Sequence, residues 1–367
     1  MASASRGSLC HFVITKFNYR GGSKVSRGWD PLAPAILARR FDVFEATCLP
    51  SILRQTRNDF VWVLIVDEML PPAYRSRLEQ LVAGHAHTVL HCYSNDDIAS
   101  LGWLAPYIQG SVDYVLTTVL DDDDMLSAGF VESLRRHLQD VQSERGLPLH
   151  LLMGCQHTLQ WDLVATRRAP FGYVKPWERR SPAGRFPVST GFSLLSKYPE
   201  TDLSIFRFWH HLAPLYFADD EAIEKMGDEA RAYVKQVATQ LSVGGDPADN
   251  DPVVGVSESA YHWISGDTAQ ALVVNHGTNK QIMRLFEGSE HRVKVDGPAS
   301  FPGFPVDFSA VARFTGRHPR WWSHLLRQLG QVVWLELRKK KGRSLPTRLW
   351  HALVRVAAVC RNVIQLR

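Results

Sequence analysis

The sequence has no long apolar segment: no uninterrupted apolar run approaches the roughly 18 residues that a membrane span needs. Its first residues, MASASRGSLCHFVITKF, lack the continuous apolar region of a signal peptide. The five cysteines are scattered, with no CxxC pair and no metal-ligand spacing. An odd, unpatterned count favours a reducing compartment and ordinary buried thiols. We therefore expect a cytosolic protein.

Internal repeats, low-complexity tracts and a glycine-rich N-terminal phosphate loop are also missing. Residues 18–28, NYRGGSKVSRG, resemble such a loop only weakly, which argues against nucleotidyl transfer. Of the 367 residues, 45% are hydrophobic and 22% are charged. This composition excludes extensive disorder and provides a core for one large domain or two smaller ones.

Acidic residues are nearly missing from residues 317–367, which hold twelve Lys/Arg and one acid, Glu336. The rest of the chain carries thirty basic and thirty-six acidic residues, whereas the whole chain has a net charge of +5. We call residues 317–367 the basic tail. Apolar residues recur at helical spacing before and after Pro346, beside the cationic run 338–341.

Amphipathic helices that contain tryptophan beside a cationic cluster are typical of interfacial membrane attachment. The basic tail therefore predicts an anionic membrane surface as a partner, with the protein peripheral on the inner membrane face. The alternative is a pair of helices docked on the body. No nucleic-acid partner is expected, because no recognised nucleic-acid motif is present.

Apolar runs alternate with helical patterns through the first 150 residues. The predicted strands are 9–18, 60–68, 87–93 and 113–120, and the predicted helices are 37–56 with a possible break at Pro50, 71–84, and 127–144 capped by Ser127. This alternation predicts a doubly wound, mostly parallel α/β sheet flanked by helices. Ligands bind such sheets outside the carboxyl ends of the strands, so the polar clusters at 15–18, 67–68 and 121–124 should converge there.

Four consecutive aspartates follow the apolar strand in YVLTTVLDDDDML. Adjacent carboxylates repel one another, and Mg²⁺ or Mn²⁺ would relieve that repulsion through oxygen ligation. Because side chains alternate along a strand, Asp122 and Asp124 are expected on one side, with Asp121 and Asp123 on the other. The alternative is a solvated acidic turn or helix N-terminus.

The segment LDDDDML resembles the DxD motif of GT-A glycosyltransferases, and ITKFN, LPSILRQTRNDFVWVLIVDE and VVNHGTN follow the same spacing. Together these segments resemble the putative rhamnosyltransferase family over roughly residues 10–290. The resemblance implies a GT-A-like catalytic domain over residues 1–300. Its donor-binding half would be about 9–150 and its acceptor half about 151–290, followed by the basic tail at 317–367.

The resemblance also implies an activity: metal-dependent transfer of a sugar, by the family's name rhamnose, from a nucleotide-sugar to a polysaccharide or lipid-linked acceptor. Mn²⁺ or Mg²⁺ would be the cofactor. The implied metal ligands are Asp122, Asp124 and His276. The implied donor contacts are Thr15, Arg40 (or Arg39), Asp67 near the nucleobase, Asp121 and Asp123. The candidates for the general base are His211, Asp202 and Glu221.

Each implied role has an ordinary structural alternative. Asp67 fits a loop or helix-capping acid, Arg40 a solvated cation, and His276 a structural histidine. The whole chain could also be a non-catalytic GT-A-like glycan-binding or scaffold protein, or a nucleotidyltransferase. The sequence does not choose the general base, the donor sugar or the acceptor.

Overall fold

The strands and helices come from a computed structural model. It describes residues 8–18, 30, 32–93, 97–163, 168–177, 179–181, 184–186, 188–207, 261–276 and 292–317, and the single residues 346, 349, 350 and 353. The helices are α1 (Pro34–Ala46), α2 (Cys48–Leu53), α3 (Pro72–Val82), α4 (Phe130–Arg145) and α5 (Phe308–Arg317). The strands are β1 (Leu9–Lys16), β2 (Val61–Asp67), β3 (Thr88–Tyr93), β4 (Tyr114–Val119), β5 (Met125–Leu126), β6 (His150–Cys155), β7 (Thr158–Asp162), β8 (Tyr173–Trp177), β9 (Arg179–Ser181), β10 (Gly184–Phe186), β11 (Ser193–Lys197), β12 (Tyr261–Ile264), β13 (Ala271–Asn275) and β14 (Val293–Lys294).

A seven-stranded sheet forms the centre of the fold, in the order β12-β6-β11-β4-β1-β2-β3. Strands β3, β2, β1 and β4 are parallel neighbours, whereas β11 runs antiparallel to both β4 and β6. The predicted mostly parallel α/β fold is confirmed. Because β6, β11 and β12 lie at or beyond residue 150, the predicted donor and acceptor halves share this sheet.

Strand β2 shows why this sheet forms. Trp62, Leu64 and Val66 pack into the cluster that helices α1 to α4 cover, and Val63 and Ile65 pack into the cluster on the opposite face. A strand that is apolar at every position is buried on both faces, which is typical of a parallel sheet covered by helices.

A second sheet has the order β14-β8-β7-β13-β5. The chain leaves the first sheet after Val119 and enters the second at Met125. The aspartate run therefore lies where the chain passes between the two sheets. Helix α5 packs against α1, and Arg317 Nη1 donates a hydrogen bond of 2.8 Å to Asp42 Oδ1.

Two predicted helices differ from the observed ones. The predicted helix 37–56 is divided at Thr47, between α1 and α2, and not at Pro50. Pro50 lies in the first turn of α2, where a missing backbone N–H is tolerated. Helix α4 starts at Phe130, and Ser127 does not cap it: the Ser127 hydroxyl donates instead to Gln270 Oε1 over 2.7 Å.

Candidate active site at the aspartate turn

The four aspartates form a turn between β4 and β5, closed by a hydrogen bond of 3.1 Å from Asp124 N to Asp121 O. The aspartates lie in a turn and not in a strand, so the strand geometry assumed for their alternation is absent; Asp122 and Asp124 are nevertheless the two buried side chains, and Asp121 and Asp123 are partly exposed. Asp122, Asp123 and Asp124 each have a different partner. We call residues 121–124 the aspartate turn.

Asp122 is paired with Arg40 of α1. Arg40 Nη1 donates to Asp122 Oδ2 and also to the carbonyl oxygen of Phe17, at the end of β1. Burial raises the pKa of Asp122 to about 7, and the charges of Asp123 and Asp121 add to the rise while Arg40 opposes it. Arg40 therefore lies at the aspartate turn, with its guanidinium bound to a carboxylate.

Asp123 is paired with His276, which follows β13. His276 Nε2 lies 3.0 Å from Asp123 Oδ2. Burial would raise the pKa of Asp123, but the hydrogen bond and charge of His276, with Arg40, lower it below the usual value. Burial in turn lowers the pKa of His276, and Asp123 opposes that shift.

Arg39 and Phe314 both contact His276. Arg39 Nη2 donates to the carbonyl oxygen of His276, and its guanidinium carbon lies 5.2 Å from the centre of the Phe314 ring. The rings of Phe314 and His276 meet edge to face at 6.1 Å. Helix α5, which carries Phe314, thus helps to position His276.

Asp124 points into the protein. Its Oδ2 accepts a hydrogen bond from Thr190 Oγ1, and its Oδ1 accepts one of 2.9 Å from Val274 N on β13. Burial holds the pKa of Asp124 well above its usual value, and Asp123 and Asp121 add to that rise. Both carboxylate oxygens are therefore engaged, and the side chain joins β4 to the second sheet.

Asp67, the residue predicted to contact the nucleobase, lies beside Asn18 at the carboxyl edge of the sheet. Asp67 ends β2, where its N–H donates to Asn18 Oδ1 and its Oδ1 accepts from Met69 N, both at 2.9 Å. Asn18 is 1% exposed, and its Nδ2 has no hydrogen-bond partner among the described residues. A buried N–H group without a partner in the described part of the protein is available for a hydrogen bond to a polar ligand at this edge.

Thr15 is placed differently. It is fully buried, and its hydroxyl oxygen accepts a hydrogen bond of 3.1 Å from Trp62 Nε1. The position lies inside the sheet, before the strand ends. The donor contact predicted for Thr15 has no support in this placement.

Of the three candidates for the general base, only Asp202 lies among the described residues. Lys197, the last residue of β11, pairs with Tyr114, the first residue of β4. The aspartates follow the last residue of β4, so the segment from Lys197 to Asp202 begins at the opposite edge of the sheet from them. Asp202 Oδ1 accepts a hydrogen bond of 2.7 Å from Leu101 N. This placement disfavours Asp202 as the base, whereas His211 and Glu221 lie outside the described residues.

The donor atoms at the aspartate turn suit a hard divalent cation, because carboxylate oxygens dominate and a single imidazole accompanies them. Among the described residues, no group of three or more His, Cys, Asp and Glu side chains has the arrangement of a metal site. A cation held here would use few protein ligands, as Mg²⁺ commonly does when substrate phosphates complete its coordination.

Sequence reasoning did not identify Thr190, Phe314 or Asp162 as parts of this site. Asp162, at the end of β7, accepts a hydrogen bond of 3.1 Å from Asn275 Nδ2, next to His276, and its Oδ2 lies 3.5 Å from Arg292 Nη2. These residues carry no local signal. Each reaches the site through a different tertiary contact. The pairing of β7 with β13 brings Asp162 beside Asn275, the pairing of β11 with β4 brings Thr190 to Asp124, and the packing of α5 on α1 accompanies the contact of Phe314 with His276.

The family comparison matches the segment that contains the aspartate turn. A family model described as "Putative rhamnosyl transferase" matches residues 30–221, which is more than half of the chain. No curated protein matches the chain.

Several solved structures are similar to this chain at low sequence identity. TarS 1–349 of S. aureus, in complex with UDP, is 11% identical with a TM-score of 0.33, over 76% of this chain and 64% of that one. The chain thus spans less than two thirds of the length of that protein. The mannosyltransferase PcManGT of Pyrobaculum calidifontis, in complex with GDP-Man and Mn2+, is 13% identical with a TM-score of 0.29, over 98% of this chain and 88% of that one.

Proposed function

Because the chain belongs to the putative rhamnosyl transferase family, we propose that it is a glycosyltransferase, which moves a sugar from a nucleotide-sugar to a polysaccharide or lipid-linked acceptor in a metal-dependent reaction. Rhamnose is the sugar that the family's description names. The proposed requirement for a metal is supported by one observation: Asp123 pairs with His276 at the carboxyl edge of the parallel sheet.

We propose Asp123 and His276 as the residues that hold Mn²⁺ or Mg²⁺. A divalent cation bound there would neutralise the charge that develops on the leaving diphosphate. Asp122 and Asp124, the ligands predicted from the sequence, fit supporting roles better, because Arg40 binds one and Thr190 with Val274 N binds the other.

The remaining roles follow from the chain's own groups. Asn18 and Asp67 would bind the nucleobase, since both lie where β1 and β2 end and Asn18 Nδ2 is a buried hydrogen-bond donor without a partner among the described residues. Asp121 would accept hydrogen bonds from the ribose. Arg40 would keep the aspartate turn compact when the anionic donor arrives, because it joins Asp122 to the end of β1. His211 and Glu221 remain the candidates for the general base.

We also propose that the basic tail attaches the enzyme to an anionic membrane surface. Within the part of the chain that the structure describes, every helix is too short or too polar to span a bilayer. Leu349 and Leu353 share one helical face by spacing and are 40% and 59% exposed, and Trp350 between them is 66% exposed. Exposed apolar side chains next to excess positive charge suit an interfacial helix.

The test is a panel of nucleotide-sugars offered to the full-length protein with and without Mn²⁺ or Mg²⁺, with release of the nucleotide as the measurement. We expect hydrolysis of at least one donor that depends on the cation. Binding of a donor without turnover, also with glycan acceptors present, would support a non-catalytic protein. Release of pyrophosphate from a nucleoside triphosphate and a sugar phosphate would support nucleotidyl transfer.

A further inference from the structure

A short turn before β11 contacts the aspartate turn. We call residues 189–192 the Gly191 turn, which is closed by a hydrogen bond of 3.0 Å from Phe192 N to Ser189 O. Gly191 N donates to Val119 O over 2.8 Å, and Val119 N donates to Phe192 O over 2.9 Å. Since Val119 is the last residue of β4, these bonds fix the Gly191 turn beside the strand that leads to the aspartates.

The Gly191 turn is also fixed by packing. Gly191 has a φ of +76°, in the left-handed region that favours glycine. A Cβ at this position would lie 3.0 Å from Cys155 Sγ on β6 and 3.1 Å from Phe130 Cε2 on α4. The glycine therefore lets the backbone of the turn lie directly against β6 and α4, and the position of Thr190 follows from that contact.

A buried chain of hydrogen bonds holds the same turn from inside the sheet. Ser193 Oγ lies 3.1 Å from the carbonyl oxygen of Gly191 and 2.7 Å from Thr118 Oγ1. Thr118 Oγ1 in turn lies 2.9 Å from His11 Nε2 on β1. A carbonyl oxygen only accepts, so Ser193 donates to Gly191 and accepts from Thr118. The hydroxyl proton of Thr118 is then used, and His11 Nε2 donates to Thr118. His11, Thr118 and Ser193 are at most 1% exposed, so the chain is shielded from water.

Thr190 connects this fixed turn to the aspartates. Its hydroxyl donates to Asp124 Oδ2, and the other carboxylate oxygen of Asp124 accepts from Val274 N over 2.9 Å. Asp124 directly follows Asp123, and Val274 precedes His276 by two residues. Asp124 therefore joins the two segments that carry Asp123 and His276, and Thr190 holds Asp124.

We propose that Thr190 is a positioning residue for the cation: through Asp124, it sets the distance and orientation of Asp123 relative to His276. The inference rests on the proposed function of that pair. Residues that orient metal ligands commonly change metal affinity 10–100-fold when they are altered. Thr190 would act through its hydroxyl, since the hydroxyl is the group that reaches the carboxylate of Asp124.

The test is a titration of the full-length protein with Mn²⁺ alone, followed by the EPR signal of the free ion, so that no turnover is needed. Thr190→Val replaces the hydroxyl by a methyl group of similar size, and we expect it to raise the dissociation constant of Mn²⁺ about 10-fold. Thr190→Ser keeps a hydroxyl and should restore most of the affinity. A purely structural role of Thr190 would lower the Tm without this dependence on the hydroxyl.

Two further variants complete the test. Thr201→Val is the matched control, because it removes a hydroxyl that donates to the carbonyl oxygen of Lys197 over 2.9 Å, at the opposite edge of the sheet. It should bind Mn²⁺ as the wild type does. Ser193→Ala breaks the buried chain at another link and should also weaken Mn²⁺ binding. Thermal unfolding without Mn²⁺ shows which variants fold, and Ser193→Ala decides the question if Thr190→Val does not fold.

The outcomes separate this inference from the proposed function. Wild-type Mn²⁺ affinity in folded Thr190→Val would overturn the positioning role and leave the cation site in place. Equal weakening by Thr201→Val would also overturn it, because loss of any hydroxyl would then have the same effect. Absence of Mn²⁺ binding in the wild type would contradict the cation site of Asp123 and His276 itself, and this inference with it.

Discussion

Asp123 Oδ2 and His276 Nε2 lie 3.0 Å apart although 153 positions separate them in the sequence. The contact exists because β4 ends in the first sheet while β13, which leads to His276, belongs to the second. It makes the junction of the two sheets a place where a carboxylate and an imidazole can act together on one ligand.

The pairing of Arg40 with Asp122 should stabilise the folded protein only while both partners are present. Arg40→Met leaves Asp122 buried without its cation, and we expect the free energy of unfolding at pH 8 to fall by about 3 kcal/mol. The double variant Arg40→Met with Asp122→Asn should regain most of this loss, because no charge is then left unpaired. Urea unfolding of the wild type, both single variants and the double variant measures the coupling. A double variant no more stable than Arg40→Met would contradict the pairing.

Asp67 is expected to act on donor binding more than on turnover. Its carboxylate lies at the end of β2, and a nucleobase contact contributes mostly uniform binding. Asp67→Ala should raise KM for the nucleotide-sugar ~10-fold, with kcat nearly unchanged. Asp67→Asn is the matched control: it keeps an acceptor for Met69 N but loses the charge. If Asp67→Asn has the wild-type KM, the charge of Asp67 does not contribute to donor binding, and its role is limited to the hydrogen bond with Met69 N.

His150 should make the stability depend on acid pH. Burial lowers its pKa from 6.5 to about 4, so the unfolded chain binds a proton between these values that the folded protein does not. Stability is unaffected by His150 above pH 6.5 and falls as the pH drops from 6.5 toward 4, by up to about 2 kcal/mol. His150→Gln should flatten this part of the stability curve relative to the wild type. An equal flattening by the exposed His157→Gln would show that burial is not the cause.

Removal of residues 318–367 should leave a folded protein that no longer binds anionic vesicles. The truncation starts after Arg317, because Arg317 closes α5 and binds Asp42. The deleted segment holds eleven of the twelve Lys/Arg in the basic tail, and each contributes about 1 kcal/mol near an anionic surface. Flotation of both proteins with anionic and neutral vesicles, at low and high salt, measures the difference. Equal flotation, or an insoluble truncation, would make the tail a structural part of the body.

The parallel sheet could be predicted because its information is local. In β2, every residue from Trp62 to Val66 is apolar, and acids follow at once, so both the burial and the carboxyl end are evident in the sequence. The break at Thr47 could not be predicted in this way. No glycine or proline marks it, and it arises where the Thr47 hydroxyl donates to the carbonyl oxygen of Val43.

The partners within the site depended on distant residues and were therefore beyond sequence reasoning. The aspartates, Arg40 and His276 could be identified as residue types that suit a metal and a phosphate. Which aspartate meets which partner depends on a turn that replaces the expected strand, and on the antiparallel pairing of β13 with β5. Thr190 reaches Asp124 only because β11 returns beside β4.

The most direct test compares release of nucleotide from the preferred donor by the wild type, Asp123→Asn and Asp296→Asn over a Mn²⁺ titration. Asp296, with a side chain that is 71% exposed, is the matched control for a neutralised carboxylate. We predict that Asp123→Asn keeps the wild-type Tm but loses turnover by ~100-fold or more at saturating Mn²⁺, while Asp296→Asn behaves as the wild type. Wild-type turnover with an unchanged Mn²⁺ dependence in Asp123→Asn would contradict the account.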